Sequence, residues 1–522
     1  MRRRSPLPPL FKSWEAIEDT TWDPPDPHIA AGPNHVVVIV NSSIAVYDKD
    51  GGVESAPDTL DNFFSTLGSL PTSPFDPKVA YDHHDGHFLV VALSGFTSTE
   101  SYWLLGVSQT NDPTGSWWLY AFDATLNGAS DTTNWVDFPG LGFDEDDGVF
   151  LTGNMYNDSD IFQYAKVRRL YKSEIYVGGG ATWYDHWAMQ YEDTSTAFTL
   201  KPAETFGAPG LEYFLSTRWS GGSDVTVWNY AGDTDTLTRQ ATVSVDSYAT
   251  PPDAIQKDTA DLVQTNDCRT QEVQYSGGNL YTAFNEGVTF TAGAAVRAGS
   301  RVLGVSTSTN LTTVDVSVSS DSRDTYYPAV KYLPAGCWIA VMAMSSTNNY
   351  PGIVYTDDAS APSGLQFLKT GEGYFDATGG SPHRWGDYFG AAVDPTDGSI
   401  WMYGQYARST HDWSTWIGNV NCAGVTTTST TSTSTSSSTT TTTIVTTTST
   451  TTTSFSLPST TTTTSTTLPP VDDDVDDDVD DDATDDDDQT DDDDDTSSDA
   501  DDDAGDDDGG GDDDDDGGCC GC

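Results

Sequence analysis

Basic side chains are scarce in this chain of 522 residues: 22 Lys and Arg stand against 81 Asp and Glu, a formal net charge of −59. Thirty of the acids are Asp from position 471 onward, where no Lys or Arg occurs, so residues 1–470 are acidic in their own right. This excludes nucleic acid as a partner, because phosphate needs a basic footprint, and it disfavours an anionic membrane surface. No apolar run reaches the roughly 18 residues of a transmembrane helix. The opening Met1-Arg-Arg-Arg-Ser-Pro-Leu-Pro-Pro-Leu-Phe11 is basic but leads into no apolar segment, so the expectation is a true start upstream of Met1. Six cysteines (Cys268, Cys337, Cys422, Cys519, Cys520 and Cys522) are too few for a disulfide scaffold, and their spacing matches no zinc site. Among Cys268, Cys337 and Cys422 at most one bridge can form.

Aromatic residues are plentiful, with 15 Trp, 24 Tyr and 20 Phe, so a large core is expected. The chain divides by composition into an N-terminal extension (1–25), a mixed body (26–424), a Thr/Ser-rich stretch (425–470) and a poly-Asp tail (471–522) ending Gly-Gly-Cys-Cys-Gly-Cys. The Thr/Ser zone cannot bury enough apolar area to offset chain entropy and reads as an extended stalk suited to O-glycosylation. The Asp blocks repel one another and hold the tail open. This order of parts predicts an extracellular or cell-surface location. The ending resembles bacterial C-terminal surface-sorting tags, in which a Gly/Cys motif precedes a membrane span and a basic cluster; only the Gly/Cys motif is carried here.

The body repeats itself. A small-residue strand, a polar turn and an apolar strand recur from His28, Lys78, Pro139, Phe206, Glu272, Pro328 and Gly390, at intervals of 50 to 68 residues. Clear copies are Lys78-Val-Ala-Tyr-Asp82 with His83-His-Asp-Gly86 and Phe88–Leu93, and Gly390-Ala-Ala-Val-Asp394 with Pro395-Thr-Asp-Gly398 and Ile400–Tyr403; the copy at Phe206 is the weakest. Two further strands fit in each interval. Four antiparallel strands repeated seven times predict an all-β fold, a seven-bladed β-propeller with six or eight blades as neighbouring counts. Small residues in each first strand suit a crowded central channel. Trp413–Gly418 is expected to close the ring near the N-terminal strands.

Three segments carry a family resemblance. Arg384-Trp-Gly-Asp-Tyr388 with Val393-Asp-Pro395 and Trp413-Ser-Thr-Trp-Ile-Gly418 resembles the closing signature of a group of secreted bacterial propellers, similar in fold to sialidases and largely unassigned in function. Ala31-Gly-Pro-Asn-His35 with Val40-Asn-Ser42 and Tyr47-Asp48 resembles that group's opening. Ser108–Trp117 resembles its second blade and holds a near Asp-box, in which Asp112, Ser116 and Trp117 match while Thr114 replaces the usual Gly. An Asp-box implies a folding device in a hairpin and not sialidase chemistry.

Candidate site residues follow from the loops that enter the first strands. Arg269, Arg323 and Arg384 stand in three successive loops, and guanidinium forks hold carboxylates. With Asp387 they form a candidate ligand site for a glycan or surface protein. The alternative is pairing of each Arg with a neighbouring acid, Asp267, Asp324 or Asp387. Asp26, Asp76 and Asp137, with Asp387, precede first strands and could jointly hold Ca²⁺ or Mg²⁺, calcium being the one cofactor the sequence suggests. The alternative is turn capping. His83-His84-Asp85-Gly86-His87 aligns with plain hairpin turns elsewhere and reads as a decorated turn. No catalytic motif is found. The expectation is a non-catalytic binding or adhesion module, with a sialidase-like glycoside hydrolase and a calcium-using surface-layer component as the alternatives.

Overall fold

In a computed structural model, residues 8–333, 336–362, 364–377 and 379–421 can be described. The Thr/Ser stretch, the poly-Asp tail and the terminal cysteines predicted above lie outside the described residues. Among these residues, no helix is long and apolar enough to cross a membrane.

The fold is all-β, apart from single-turn helices such as Leu60–Phe63 and Lys172–Ile175. Among the described residues, the longer strands form seven antiparallel sets of four, beside two short two-stranded ladders. Sheet I holds His28–Ala31, His35–Val40, Ser43–Asp48 and Val53–Thr59. Sheet II holds Phe75–Asp82, His87–Thr97, Glu100–Ser108 and Trp117–Asp123. Sheet III holds Trp135–Phe143, Gly148–Tyr156, Phe162–Tyr171 and Trp183–Trp187; sheet IV holds Lys201–Phe206, Glu212–Ser216, Gly221–Ala231 and Thr236–Ala249. Sheet V holds Val273–Ser276, Asn279–Val288, Arg297–Ser306 and Thr312–Val318; sheet VI holds Asp324–Leu333, Cys337–Ser346, Asn349–Asp357 and Gln366–Lys369. Sheet VII takes Gly390–Val393, Ile400–Ala407 and Trp413–Val420 from the end of the body, and its outer strand, Leu10–Glu18, from the beginning.

The second strands are apolar on both faces, as in His35–Val40 and Phe88–Leu93, because each sheet is covered by a neighbour on either side. Outer strands meet water: Val53–Thr59 is exposed along its whole length. The first strand of each sheet packs on the first strand of the next, and that of sheet VII packs on that of sheet I, so the cycle closes. Those of sheets III, IV and V are also joined by parallel pairing.

Two expectations need correction. The fourth repeat begins at Lys201, not Phe206, which ends its first strand. Lys201 and Glu204 hid the small-residue pattern there. Leu10–Glu18 is not an extension outside the body but a strand of sheet VII: Trp14 packs on Trp401 and Tyr47, and Glu15 accepts hydrogen bonds from the Tyr406 and Ser414 hydroxyls at 2.7 and 2.9 Å.

One local device recurs at the start of the first strands. Asp26, Asp76, Phe138 and Tyr327 adopt left-handed backbone, with φ of 46°, 50°, 54° and 52°, and each precedes a proline. In sheets II, III and VI a β-bulge falls at this step. The left-handed conformation is costly for residues with a side chain. An asparagine from the preceding sheet holds it: the Asp76 and Tyr327 N–H groups donate to Asn41 and Asn285 Oδ1, both at 2.7 Å. Asn154 does the same for Thr199, accepting its N–H at 2.9 Å and donating to its hydroxyl at 2.8 Å.

Candidate functional site

The loops entering sheets I, II, III, V and VII meet at one mouth of the cycle. Asp26, Asp76 and Asp387 each place one carboxylate oxygen within 4.8 Å of the others, and all three are buried. Asp26 Oδ1 accepts the Asp387 N–H at 2.6 Å and its Oδ2 accepts from Asn41 at 2.7 Å. Asp387 accepts from Asn266 at 2.7 Å and from Arg384 at 3.1 Å. Asp137 is the fourth acid. It is close enough for its charge to act on Asp76 and for Asp387 to act on it.

Burial and mutual repulsion divide the protons unevenly. Desolvation, then the Asp387 charge, pushes Asp26 up to about 7. Desolvation and three neighbouring carboxyls push Asp76 well above the usual range, and desolvation raises Asp137. For Asp387 desolvation acts upward, but Arg384, Arg269 and two side-chain hydrogen bonds outweigh it and hold the carboxyl below its ordinary value.

The three predicted arginines are not equivalent. Arg269 is buried and forms a fork with Asp267, Nε to Oδ1 and Nη2 to Oδ2, both at 2.8 Å, with its guanidinium 4.6 Å from the Phe138 ring. Arg384 pairs with Asp387, and 26% of its side chain remains exposed. Arg323 Nε donates to Ser320 Oγ at 3.0 Å, within its own hairpin. Its predicted partner Asp324 pairs instead with Arg297 at 3.3 Å. In sheet VI the strand runs four residues past Arg323 before reaching the mouth position at Tyr327, so position before a strand misjudged this arginine.

Beneath the mouth, the first strands carry charged side chains among their small residues. The His28 ring meets Glu272 Oε1; Lys331 Nζ lies 2.8 Å from Glu204 and 3.4 Å from Glu272. Lys201 Nζ donates to the Phe138 and Pro139 carbonyls at 3.2 and 2.6 Å. Lys78 Nζ lies 2.9 Å from the centre of the Tyr388 ring, and desolvation lowers it to about 8. His28, Lys78, Lys201, Glu204, Gln271 and Glu272 line a cavity of about 20 Å³, room for one water. The available signal was Asp26-Pro-His28 and Asp76-Pro-Lys78: a polar residue directly after the bulge proline points inward.

In the Asp-box-like turn, Asp112 Oδ1 accepts the Thr114 N–H at 3.0 Å and its hydroxyl at 2.7 Å, Trp117 Nε1 donates to the Pro113 carbonyl at 3.0 Å, and Ser116 gives its carbonyl to the Gln109 N–H at 2.9 Å. His83 stacks on Phe206 at 4.3 Å, His84 Nε2 bonds the Thr205 carbonyl and His87 Nδ1 the Ser108 carbonyl. His83 and His84 fasten the sheet II turn to the first strand of sheet IV, and His87 ties it to the third strand of sheet II. Cys268 is free and buried, whereas Cys337 is disulfide-bonded.

No family model matches the chain, and no curated protein matches it in sequence. Solved structures similar to it include a Dyadobacter fermentans protein of unknown function, at 10% identity and TM-score 0.41, covering 80% of this chain and all of that one. The propeller of Dos1 is similar at 10% identity and TM-score 0.38, covering 80% and 87%. The α-L-arabinofuranosidase Arb93A of Fusarium graminearum, solved with an iminosugar inhibitor, is similar at 11% identity and TM-score 0.36, covering 79% and 98%.

Proposed function

We propose that the body is a seven-bladed β-propeller, closed by its N-terminal strand, and that it serves outside the cell as a non-catalytic module binding a glycan or a protein at the charged mouth. Seven four-stranded sheets whose first strands close a cycle support the blade count. The disulfide at Cys337 supports an oxidising compartment, as does the stalk-like composition beyond the body.

One observation carries the binding role. Loops from five sheets converge on a mouth where Asp26, Asp76 and Asp387 are buried while 26% of the Arg384 side chain stays in solvent. A guanidinium so placed meets an incoming carboxylate or hydroxyl first. A sialidase-like hydrolase is the second reading. It is favoured by Asp26, pushed up to about 7, beside Asp387, held low, since such a pair divides acid and base roles. Against it, Asp26, Asp76 and Asp387 are all buried, whereas the paired carboxyls of a glycosidase stand open to the sugar they flank. Of the three arginines expected to hold a carboxylate, Arg269 is matched by Asp267, which does not favour the carboxylate pocket of sialidases.

A glycan array probed with the full chain, wild type and Arg384→Ala and Arg323→Ala variants, tests the binding role. The expected result is binding of carboxylate-bearing glycans that falls at least tenfold in Arg384→Ala and is unchanged in Arg323→Ala. Equal binding by all three proteins, or turnover of a bound glycan, overturns it.

A further inference from the structure

Gln405, in the second strand of sheet VII, is fully buried. Its Nε2 donates to the Trp385 carbonyl, which fixes the amide so that Oε1 points the other way, and Oε1 has no hydrogen-bond donor. A Cβ placed on Gly386 would stand 3.5 Å from this Oε1 and 2.9 Å from Asp26 Oδ1. The missing side chain of Gly386 therefore leaves a recess onto which an amide oxygen and a carboxylate oxygen both open. Two acceptors facing one space have nothing to share unless a cation or a proton lies between them. Asp76 sharpens the point. It is 6% exposed, and among the described residues its carboxylate accepts no hydrogen bond; its one bond is made through its backbone N–H.

We propose that the mouth holds one hard divalent cation, Ca²⁺ in preference to Mg²⁺, on Asp26, Asp76 and Asp387 with the Gln405 amide oxygen beside them. The donor set is all oxygen and largely anionic, as such ions require. Oxygens bound to one Ca²⁺ at 2.3–2.6 Å can be up to about 5 Å apart, and separations within 4.8 Å fit that span. The donor set favours the larger ion: three carboxylates and an amide oxygen are more protein ligands than Mg²⁺, which gives up its water reluctantly, usually takes. The Asp387 N–H takes one lone pair of Asp26 Oδ1, and Asn41, Asn266 and Arg384 bond other oxygen lone pairs of Asp26 and Asp387, which leaves the remaining ones to the ion. The ion would tie the loops of sheets I, II and VII together at the seam where the cycle closes. This assignment stands whether or not the mouth also takes a glycan or protein.

Terbium, a luminescent stand-in for Ca²⁺, separates this site from weak binding to the Asp-rich tail, because residues 425–522 contain no Trp or Tyr to sensitise it. Excitation of the full chain at a tryptophan wavelength should give terbium emission, fed by Trp385 next to the recess, that added Ca²⁺ displaces and Mg²⁺ displaces less well. Asp76→Asn, which removes a charge but no hydrogen bond, should lose most of that emission. In thermal melts, Ca²⁺ should raise the wild-type midpoint over an EDTA control by about 2–5 °C and leave Asp76→Asn unmoved. Absence of Ca²⁺-displaceable emission from the wild type overturns the assignment whatever the variant does. So does equal emission from a folded Asp76→Asn variant, which would place the ion elsewhere.

Discussion

The asparagines that hold the left-handed residues show how much one side chain contributes. Asn154 is fully buried, and both ends of its amide are spent on Thr199. Asn154→Ala leaves a buried N–H without an acceptor and a hydroxyl without its donor, and should cost about 1–3 kcal/mol in urea unfolding. An unchanged midpoint would show that the bulge holds itself. His83 gives a pH signature. Desolvation, then the neighbouring His84, lowers it to about 4, and its ring stacks on Phe206. Its folded pKa lies below the unfolded value near 6.5, so the folded state binds fewer protons. The stability this contributes is present above about pH 6.5 and is lost as pH falls through 4. His83→Phe keeps a stacking ring and removes the titration. Relative to wild type it should gain up to about 3 kcal/mol between pH 7 and pH 4. Parallel pH profiles of the two proteins would contradict the burial of this ring.

Among the elements, the strand Leu10–Glu18 is the most consequential. It pairs with Trp413–Val420 and covers the outer edge of sheet VII, burying Ile17 almost completely. Closure of the cycle thus depends on residues almost 400 positions apart. Deleting residues 1–18 removes the Ile17 and Trp14 side chains from the core, a loss of roughly 3–6 kcal/mol. It should lower the unfolding midpoint and strip amide protection from Trp413–Val420 first. Retention of that protection would mean that sheet VII is stable with three strands. The hairpin turns, by contrast, are interchangeable devices. Asp144 accepts the Asp146 and Gly148 N–H groups, and Asp48 accepts those of Asp50 and Gly52. This explains why the turns of the repeats look alike in sequence while their other residues vary.

For the whole molecule, repetition decided what could be read in advance. Strands apolar on both faces, separated by Gly and Asp turns, announce an all-β fold of stacked sheets, because no other arrangement covers so many two-sided strands. Three of the four acids of the mouth were legible for a related reason: Asp26 and Asp76 occupy the same place before a proline, and Asp137 precedes the equivalent Phe138. The distinction among the three arginines was not legible, since it turns on how far each strand runs before the mouth, which pairing sets. Nor was the role of Gln405, an ordinary polar residue in an apolar strand until Trp385 and Gly386 are folded against it. The sequence alone determined the class of fold, the repeat and its turns, the acidity of the body and the composition of the stretch beyond it, because these rest on local periodicity and charge. Only the tertiary structure decided that Leu10–Glu18 completes sheet VII, that Lys78, Lys201 and Lys331 lie buried beneath the mouth, and that three carboxylates share one recess, because each depends on contacts between segments that lie far apart in the chain.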